Sequence, residues 1–229
     1  MTLWIDRLLN LCKWPIAFVM LVNTPMLIKK MGTILMLCWS VRPDFFIGMF
    51  GYIVFWRFIL SRRLFGSWIP TLVHESIHAF FAILTGHRIV DFKVRWNGGG
   101  HMSYAGGIGN WVISISPYFV PFTTLVVFTL EQIWPLGAAW RTLSIGLLFG
   151  FEIVYVWRQV HWQQTDLQEV GWLFVGAFLP GALLLSYLMT LTLVLFEANE
   201  LVVILNEMTT NTKTSTIFLL QKIESLGSN

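Results

Sequence analysis

Apolar residues run along this chain in long blocks separated by short polar breaks, instead of in the two- or three-to-four-residue alternations of a half-buried surface. Five blocks approach the length a helix needs to cross a bilayer: Phe45 to Leu60, Ser67 to Thr85, Ile108 to Leu130, Gly137 to Trp157 and Gly171 to Phe196. Upstream, Trp14 to Ile28 and Met31 to Val41 are each short for a crossing; Lys29 and Lys30 divide them, and Asn23 and Pro25 interrupt the first. They read as interfacial or re-entrant helices, with a sixth span as the alternative. The pattern predicts an all-α polytopic membrane protein of five, or six, transmembrane helices.

One connection breaks the helical rhythm. After Thr85-Gly86, a helix-ending pair, the stretch Arg88 to Trp96 sets Ile89, Phe92, Val94 and Trp96 among polar residues and reads as a strand. Asn97-Gly98-Gly99-Gly100 is a turn signal, and His101 to Ala105 can return as the second strand of a small β-hairpin. Such an edge can take up an extended peptide through main-chain hydrogen bonds. The chain therefore divides into an N-terminal segment at 1–43, a membrane-embedded core at 44–196 and a polar C-terminal tail at 197–229, to which no chemistry is assigned.

Composition agrees: 56% of the 229 residues are hydrophobic and 12% charged, which excludes an ordinary water-soluble domain. Asp6, Cys12 and Lys13 interrupt the start of the chain too early for a secretory signal. A net charge of +3 without a basic, aromatic-interleaved stripe gives no support to nucleic-acid binding. Many tryptophans, among them Trp68, Trp111, Trp134, Trp157 and Trp172, fall near block ends, where an amphipathic ring suits the membrane interface. Cys12 and Cys38 lack a metal-binding or redox spacing and read as buried thiols. Strict alternation of the five spans puts the N-terminal segment, the 86–107 connection and the 158–170 loop on one side. The surplus of Lys and Arg there makes it the cytoplasmic side.

Against this background His74-Glu75-Ser76-Ile77-His78 is the anomaly. An ionisable group at mid-membrane costs about 2.5–3.5 kcal/mol even on a lenient scale, and here three fall within one apolar block. Two imidazoles four residues apart share one helix face, and HExxH on a helix is the arrangement of zinc hydrolases: the histidines bind the ion and Glu75, facing the bound water, serves as general base. A catalytic zinc needs a third protein ligand and an open position. Asp166 leads, although with Glu169 it also has the spacing of a capping box for the last span. Glu152, buried within its own span, is the runner-up, and a neutral, hydrogen-bonded glutamic acid is the plainer reading of it. Asp91 and Glu169 read as solvated loop charges, and His87, His101 and His161 as exposed or interfacial histidines. The Ile108 to Leu130 block, broken by Asn110, Ser114, Ser116, Pro117 and Pro121, would turn one face from lipid and line the site.

The run from His74 to Val90, with His-Glu-Ser-Ile-His-Ala leading to Thr85-Gly86 and then a strand, resembles the site-2 protease family of intramembrane zinc metalloproteases and its small bacterial relatives. The resemblance spans about 70–170 and shows no PDZ-like insertion. It implies one Zn2+ per chain held by His74, His78 and Asp166, with Glu75 activating water. It also implies a multi-pass protein of the bacterial cytoplasmic membrane that hydrolyses peptide bonds of membrane-spanning or membrane-associated proteins. Around Asp166 this chain departs from the family, having leucine where Asp-Gly is usual. Two other classes stay open: a non-catalytic scaffold with a vestigial metal site, and a transporter with a mid-membrane metal or proton site. A lipid-modifying oxygenase would need more than the five histidines present.

Overall fold

The computed structural model describes residues 2–61, 68–96, 99–195 and 199–227. Nine α-helices are described: α1 (Thr2–Val41), α2 (Pro43–Phe55, continued by a π-helical turn Trp56–Leu60), α3 (Trp68–Leu84), α4 (Trp111–Ile115), α5 (Phe122–Glu131), α6 (Ala138–Gln159), α7 (Thr165–Val170), α8 (Trp172–Leu195) and α9 (Asn199–Gly227). Between α3 and α4 lies the antiparallel hairpin of β1 (Arg88–Val94) and β2 (Gly100–Ala105), with an irregularity in register between Ile89 and Asp91. Asn97 and Gly98, the heart of the expected turn, lie outside the described residues, as do Arg62, Arg63 and Ser67. Among the described residues four helices are long and apolar enough to cross a membrane: α1, α2 with its π turn, α6 and α8. A fifth crossing is obtained if Trp111–Tyr118 and Phe122–Glu131, bent by 77°, form one broken span. Outward-facing Leu11, Met36, Ile47, Phe58 and Leu173 suit such a setting.

The crossings are not all the expected ones. The N-terminal region is one 40-residue helix, not two short interfacial or re-entrant pieces, and it carries Pro15 and Pro25 inside it. Its polar interruptions are matched by the C-terminal helix. Asn23 Nδ2 donates to Val19 O and to Thr212 Oγ1, Asn211 Nδ2 donates to Val22 O and Asn23 Oδ1, and Lys30 pairs with Glu207 at 2.7 Å. Backbone and side-chain groups that argue against a lone crossing are thus satisfied by α9, which runs antiparallel to α1. Conversely α3, with 17 residues, extends about 26 Å against the ~30 Å of a hydrocarbon core, and is short for a crossing.

This exchange changes the direction of the helices. Expected alternation makes α2 and α6 antiparallel, but Phe45 faces Gly146, Met49 faces Gly150, and Tyr52 meets Phe151, so the two run parallel. Their glycines explain the closeness. A Cβ on Gly48, Gly146 or Gly150 would stand 2.1, 2.0 or 2.6 Å from a backbone oxygen of the facing helix, and only the missing side chain lets the backbones meet. Helix α1 is parallel to α8, through Lys13 with Val170 and Trp14 with Phe174, while α6 opposes α8 through Phe149 and Tyr187. The C-terminal ends of α2 and α6 and the N-terminal ends of α1 and α8 therefore gather at one end of the bundle. There α3, the hairpin, α4 and α7 assemble.

Two buried features lock that end. Helix α3 stops in a Schellman motif: His87 N donates to Ala82 O and Gly86 N to Ile83 O, with Gly86 at φ +84°. Asp6, fully buried, accepts from the backbone N–H groups of Ile108 and Gly109 and from Asn110 Nδ2, and lies 3.2 Å from His87 Nε2. His87 is hence not the exposed connector residue the sequence suggests; it is buried beneath the first turns of α1.

Candidate metal centre

His74 and His78 occupy the inward face of α3, both buried, with Glu75 beside them. Asp166 enters from α7, whose position is set by Leu167 and Val170, both buried in an aromatic and aliphatic cluster with Trp111, Tyr118 and Phe174. The Asp166 Oδ2 lies 3.2 Å from His74 Nε2 and 3.3 Å from His78 Nε2, and the two Nε2 atoms are 3.1 Å apart. These three residues form a group able to hold a metal ion. Ligand atoms about 2.0–2.1 Å from a tetrahedral zinc stand roughly 3.3 Å from one another, close to all three separations.

The proton inventory tests the fit independently. His78 Nδ1 is 2.7 Å from the carbonyl of Ile113, which can only accept, so that nitrogen carries the proton and the neutral ring presents a lone pair at Nε2. That lone pair faces a carboxylate oxygen and a second imidazole nitrogen. His74 Nδ1 is likewise engaged, at 3.0 Å from the Tyr155 hydroxyl. Acceptors aimed at one point repel unless a cation or a proton lies among them, and fixing the outer nitrogen of a histidine is how metal-binding rings are oriented. The donor set, two imidazoles and a carboxylate, suits zinc. Where a proton takes the place of a metal ion among these atoms, burial by itself would raise the Asp166 carboxyl, but hydrogen bonds from the protonated His74 and His78 rings prevail and hold it well below the usual carboxylate range. Tyr118 Oη donates to the same oxygen at 3.0 Å.

Around this point opens a polar cavity of about 470 Å³, bordered by Thr71, Glu75, His101, Ser114, Gln164 and Glu169 among others. Glu75 faces it without joining the ligand trio. Strand β2 passes so near that a Cβ on Gly100 would lie 2.8 Å from Glu75 Oε1 and 2.6 Å from Thr71 Cγ2; the glycine gives the backbone room to lie over the glutamate.

The other candidates separate clearly. Glu152 is not at the site: its Oε1 accepts from Thr123 Oγ1, Thr124 Oγ1 and the Thr124 amide, tying the start of α5 to α6 beyond the Pro117–Pro121 bend. Asp166 does not cap a helix, because Gln164 is the N-cap of α7 and makes no side-chain cap bond. Glu169, read as a solvated loop charge, instead borders the cavity and accepts from Ser114 Oγ. Asp91 is paired with Lys93 at 2.8 Å on the hairpin surface, His101 borders the cavity from β2, and His161 lies apart from the trio.

Sequence reasoning misses Tyr118 and Tyr155. Tyr118 follows Ser116-Pro117 in the segment expected to line the site, a usable signal; Tyr155 sits in an apolar helix where a tyrosine resembles an interface anchor, and nothing local marks it.

No curated protein and no solved structure matches the chain. A family model described as Peptidase M50B-like does match, over residues 45–215, well over half of the chain and including the three converging residues. With several membrane-length helices around a His-His-Asp group beside a glutamate, this multi-pass membrane protein belongs to the Peptidase M50B-like family, the site-2 protease family.

Proposed function

We propose that the protein is an intramembrane zinc metalloprotease that hydrolyses peptide bonds of membrane-spanning or membrane-associated substrates, with one Zn2+ held by His74, His78 and Asp166. The observation that carries this reading is the convergence of three atoms of ligand type, 3.1–3.3 Å apart, at the wall of a cavity that Glu75 also faces. A zinc bound there would polarise the scissile carbonyl and make a water molecule acidic.

Glu75 acts as the base. Its carboxylate takes a proton from the attacking water, whose oxygen bonds to the carbonyl carbon, and returns a proton to the amine as the carbon–nitrogen bond breaks. Tyr155 and the Ile113 carbonyl keep the two imidazoles turned inward, and Tyr118 steadies Asp166. A transmembrane helix hides its carbonyls in internal hydrogen bonds, so the cleaved segment must unwind locally. Strand β2, whose Gly100, His101 and Met102 border the cavity, offers backbone groups to hold it extended.

The same reading sets the protein in a bacterial cytoplasmic membrane with the metal end toward the cytoplasm. Charge supports that orientation: Arg7, Lys13, Arg57, Arg88, Lys93, Arg95 and Arg158 belong to segments at the metal end, whereas Lys29, Lys30, Arg42 and Arg141 lie toward the other.

The deciding experiment takes the full chain in detergent, measures bound metal, and incubates it with single-span peptides beside a Glu75→Gln variant. Cleavage by the parent alone, with zinc in both proteins, is the expected result. Equal turnover by Glu75→Gln would remove the mechanism, and a metal-free parent would remove the zinc site.

A further inference from the structure

Beside the metal cavity lies a second one of about 320 Å³ that the chemistry above does not use. The two share Thr71 and Gln159 in their walls. Thr71 is three residues before His74 and four before Glu75, so it stands one helical turn away on the same face of α3. The second cavity therefore begins one turn from the ion-binding group.

Its character differs from that of its neighbour. The inner wall is aromatic: Tyr52 of α2 meets Phe151 of α6 edge-on with ring centres 5.7 Å apart, and Phe151 stacks on Tyr155 at 5.9 Å. Ile69 of α3 and Val154 of α6 add aliphatic surface. Trp56 and Leu60, the first and last residues of the π-helical turn, both border the space, and a π turn of this kind recurs at functional sites because it re-aims side chains. Arg158, whose guanidinium lies over the Trp56 ring at 6.0 Å, and His161 border the space as polar groups.

We infer that this cavity is the specificity subsite of the protease, receiving one large apolar or aromatic side chain of the substrate next to the scissile bond. The inference rests on the proposed peptidase activity. A peptide extended along β2 with its carbonyl at the ion-binding group projects neighbouring side chains to alternate sides, and the space beyond Thr71 is where one of them can go. Apolar and aromatic walls with a few polar groups are the composition of a pocket that selects shape and apolarity. A single methylene in such a pocket discriminates by about ten-fold or more, so phenylalanine against alanine should exceed that.

The test begins with a single-span peptide that the full-length, zinc-loaded protein cleaves, its cut mapped by mass spectrometry. Each residue within two positions of the cut is changed in turn to Ala, Leu, Phe and Asp, and kcat/KM is measured. At one position Phe and Leu should exceed Ala and Asp by about ten-fold or more. Ile69→Trp, which fills the cavity from the first turn of α3, should reduce the Phe-to-Ala ratio at that position to near one. Tyr52→Ala, which enlarges it, should move the preference toward Trp. These readouts are ratios within one protein, so a general loss of activity in a variant cancels. Equal rates at every position, or a preference that neither variant alters, would overturn the subsite while leaving the protease intact. Absence of cleavage of every peptide by the parent protein would overturn the proposed function, and the subsite with it.

Discussion

Around His74 and His87, 13 residues apart in sequence, this chain buries two histidine–carboxylate clusters whose carboxylates are met in opposite ways. At the clamp, Asp6 is met by three donors, the amides of Ile108 and Gly109 and the Asn110 side chain, while His87 Nε2 lies 3.2 Å away without hydrogen-bonding geometry. At the metal centre, Asp166 meets His78 Nε2, a nitrogen whose partner on the ring is already committed to a carbonyl. A buried carboxylate surrounded by N–H groups is complete as it stands. One that faces lone pairs is incomplete without a cation. Both clusters contain a buried His and an Asp about 3.2 Å apart, so distance does not separate them; hydrogen-bond direction does.

The largest effect should come from removing the carboxylate that faces lone pairs. Asp166→Ala leaves two imidazoles, one short of the three ligands of a catalytic zinc site, and should lose both bound metal and detectable cleavage while the protein stays folded. Metal content by elemental analysis checks this. Full zinc occupancy in the variant would show that another group completes the shell, and the comparison would fail at its stronger side.

Removing the other carboxylate should do the reverse. Asp6→Ala strands two backbone amides and the Asn110 amide in a fully buried space, and each buried donor left unsatisfied costs about 1–3 kcal/mol. The apparent melting temperature should fall sharply, with metal per folded molecule unchanged. Loss of zinc without loss of stability would mean that the clamp belongs to the metal site.

These clusters also show what a sequence can disclose. His74, Glu75 and His78 announce themselves because local spacing puts them on one helix face, and the hairpin announces itself through glycines and alternation, both one-dimensional signals. Asp166 could be ranked first among acids only because its loop shares a membrane side with the end of the HExxH helix and by the family resemblance; the turn that aims it, α7, depends on Leu167 and Val170 packing against Trp111 and Phe174 from distant segments. The clamp was illegible because Asp6 and His87 are 81 residues apart and each alone looks like a surface residue. Helix α1 reads as two fragments for the same reason: Asn23 and Lys30 are penalties until Thr212, Asn211 and Glu207 arrive from the end of the chain. With the bent pair Trp111–Tyr118 and Phe122–Glu131 counted as one span, the total of five is kept because α1 enters the count as α3 leaves it, yet the parallel course of α2 and α6 is not what those five blocks imply.

A smaller effect should follow from the outer hydrogen bonds. Tyr155→Phe removes the hydroxyl from His74 Nδ1 while keeping the ring against Phe151. Losing such an orienting partner costs about 10–100-fold in metal affinity or activity. Competition with a chelator, followed by measurement of residual zinc, gives the change directly. An unaltered affinity would show that packing alone orients His74, and would bring the metal centre closer to the clamp in character.

The smallest expected change is in acidity, and it separates the clusters without weakening either. Metal occupies the centre only where His74, His78 and Asp166 are all free of protons at the converging atoms. As the pH falls, protons compete with the ion at these atoms and zinc is released. Zinc should therefore be retained above neutrality and lost as the solution becomes acidic. Since Asp6 and His87 supply no ligand, His87→Ala should lower stability yet leave the midpoint of zinc release within about 0.3 pH units of the parent, the change expected if RT-scale coupling is absent. A displaced midpoint would show that the two clusters share their protons through the turn that joins α3 to β1, and the division between a complete and an incomplete carboxylate would have to be redrawn as one coupled network.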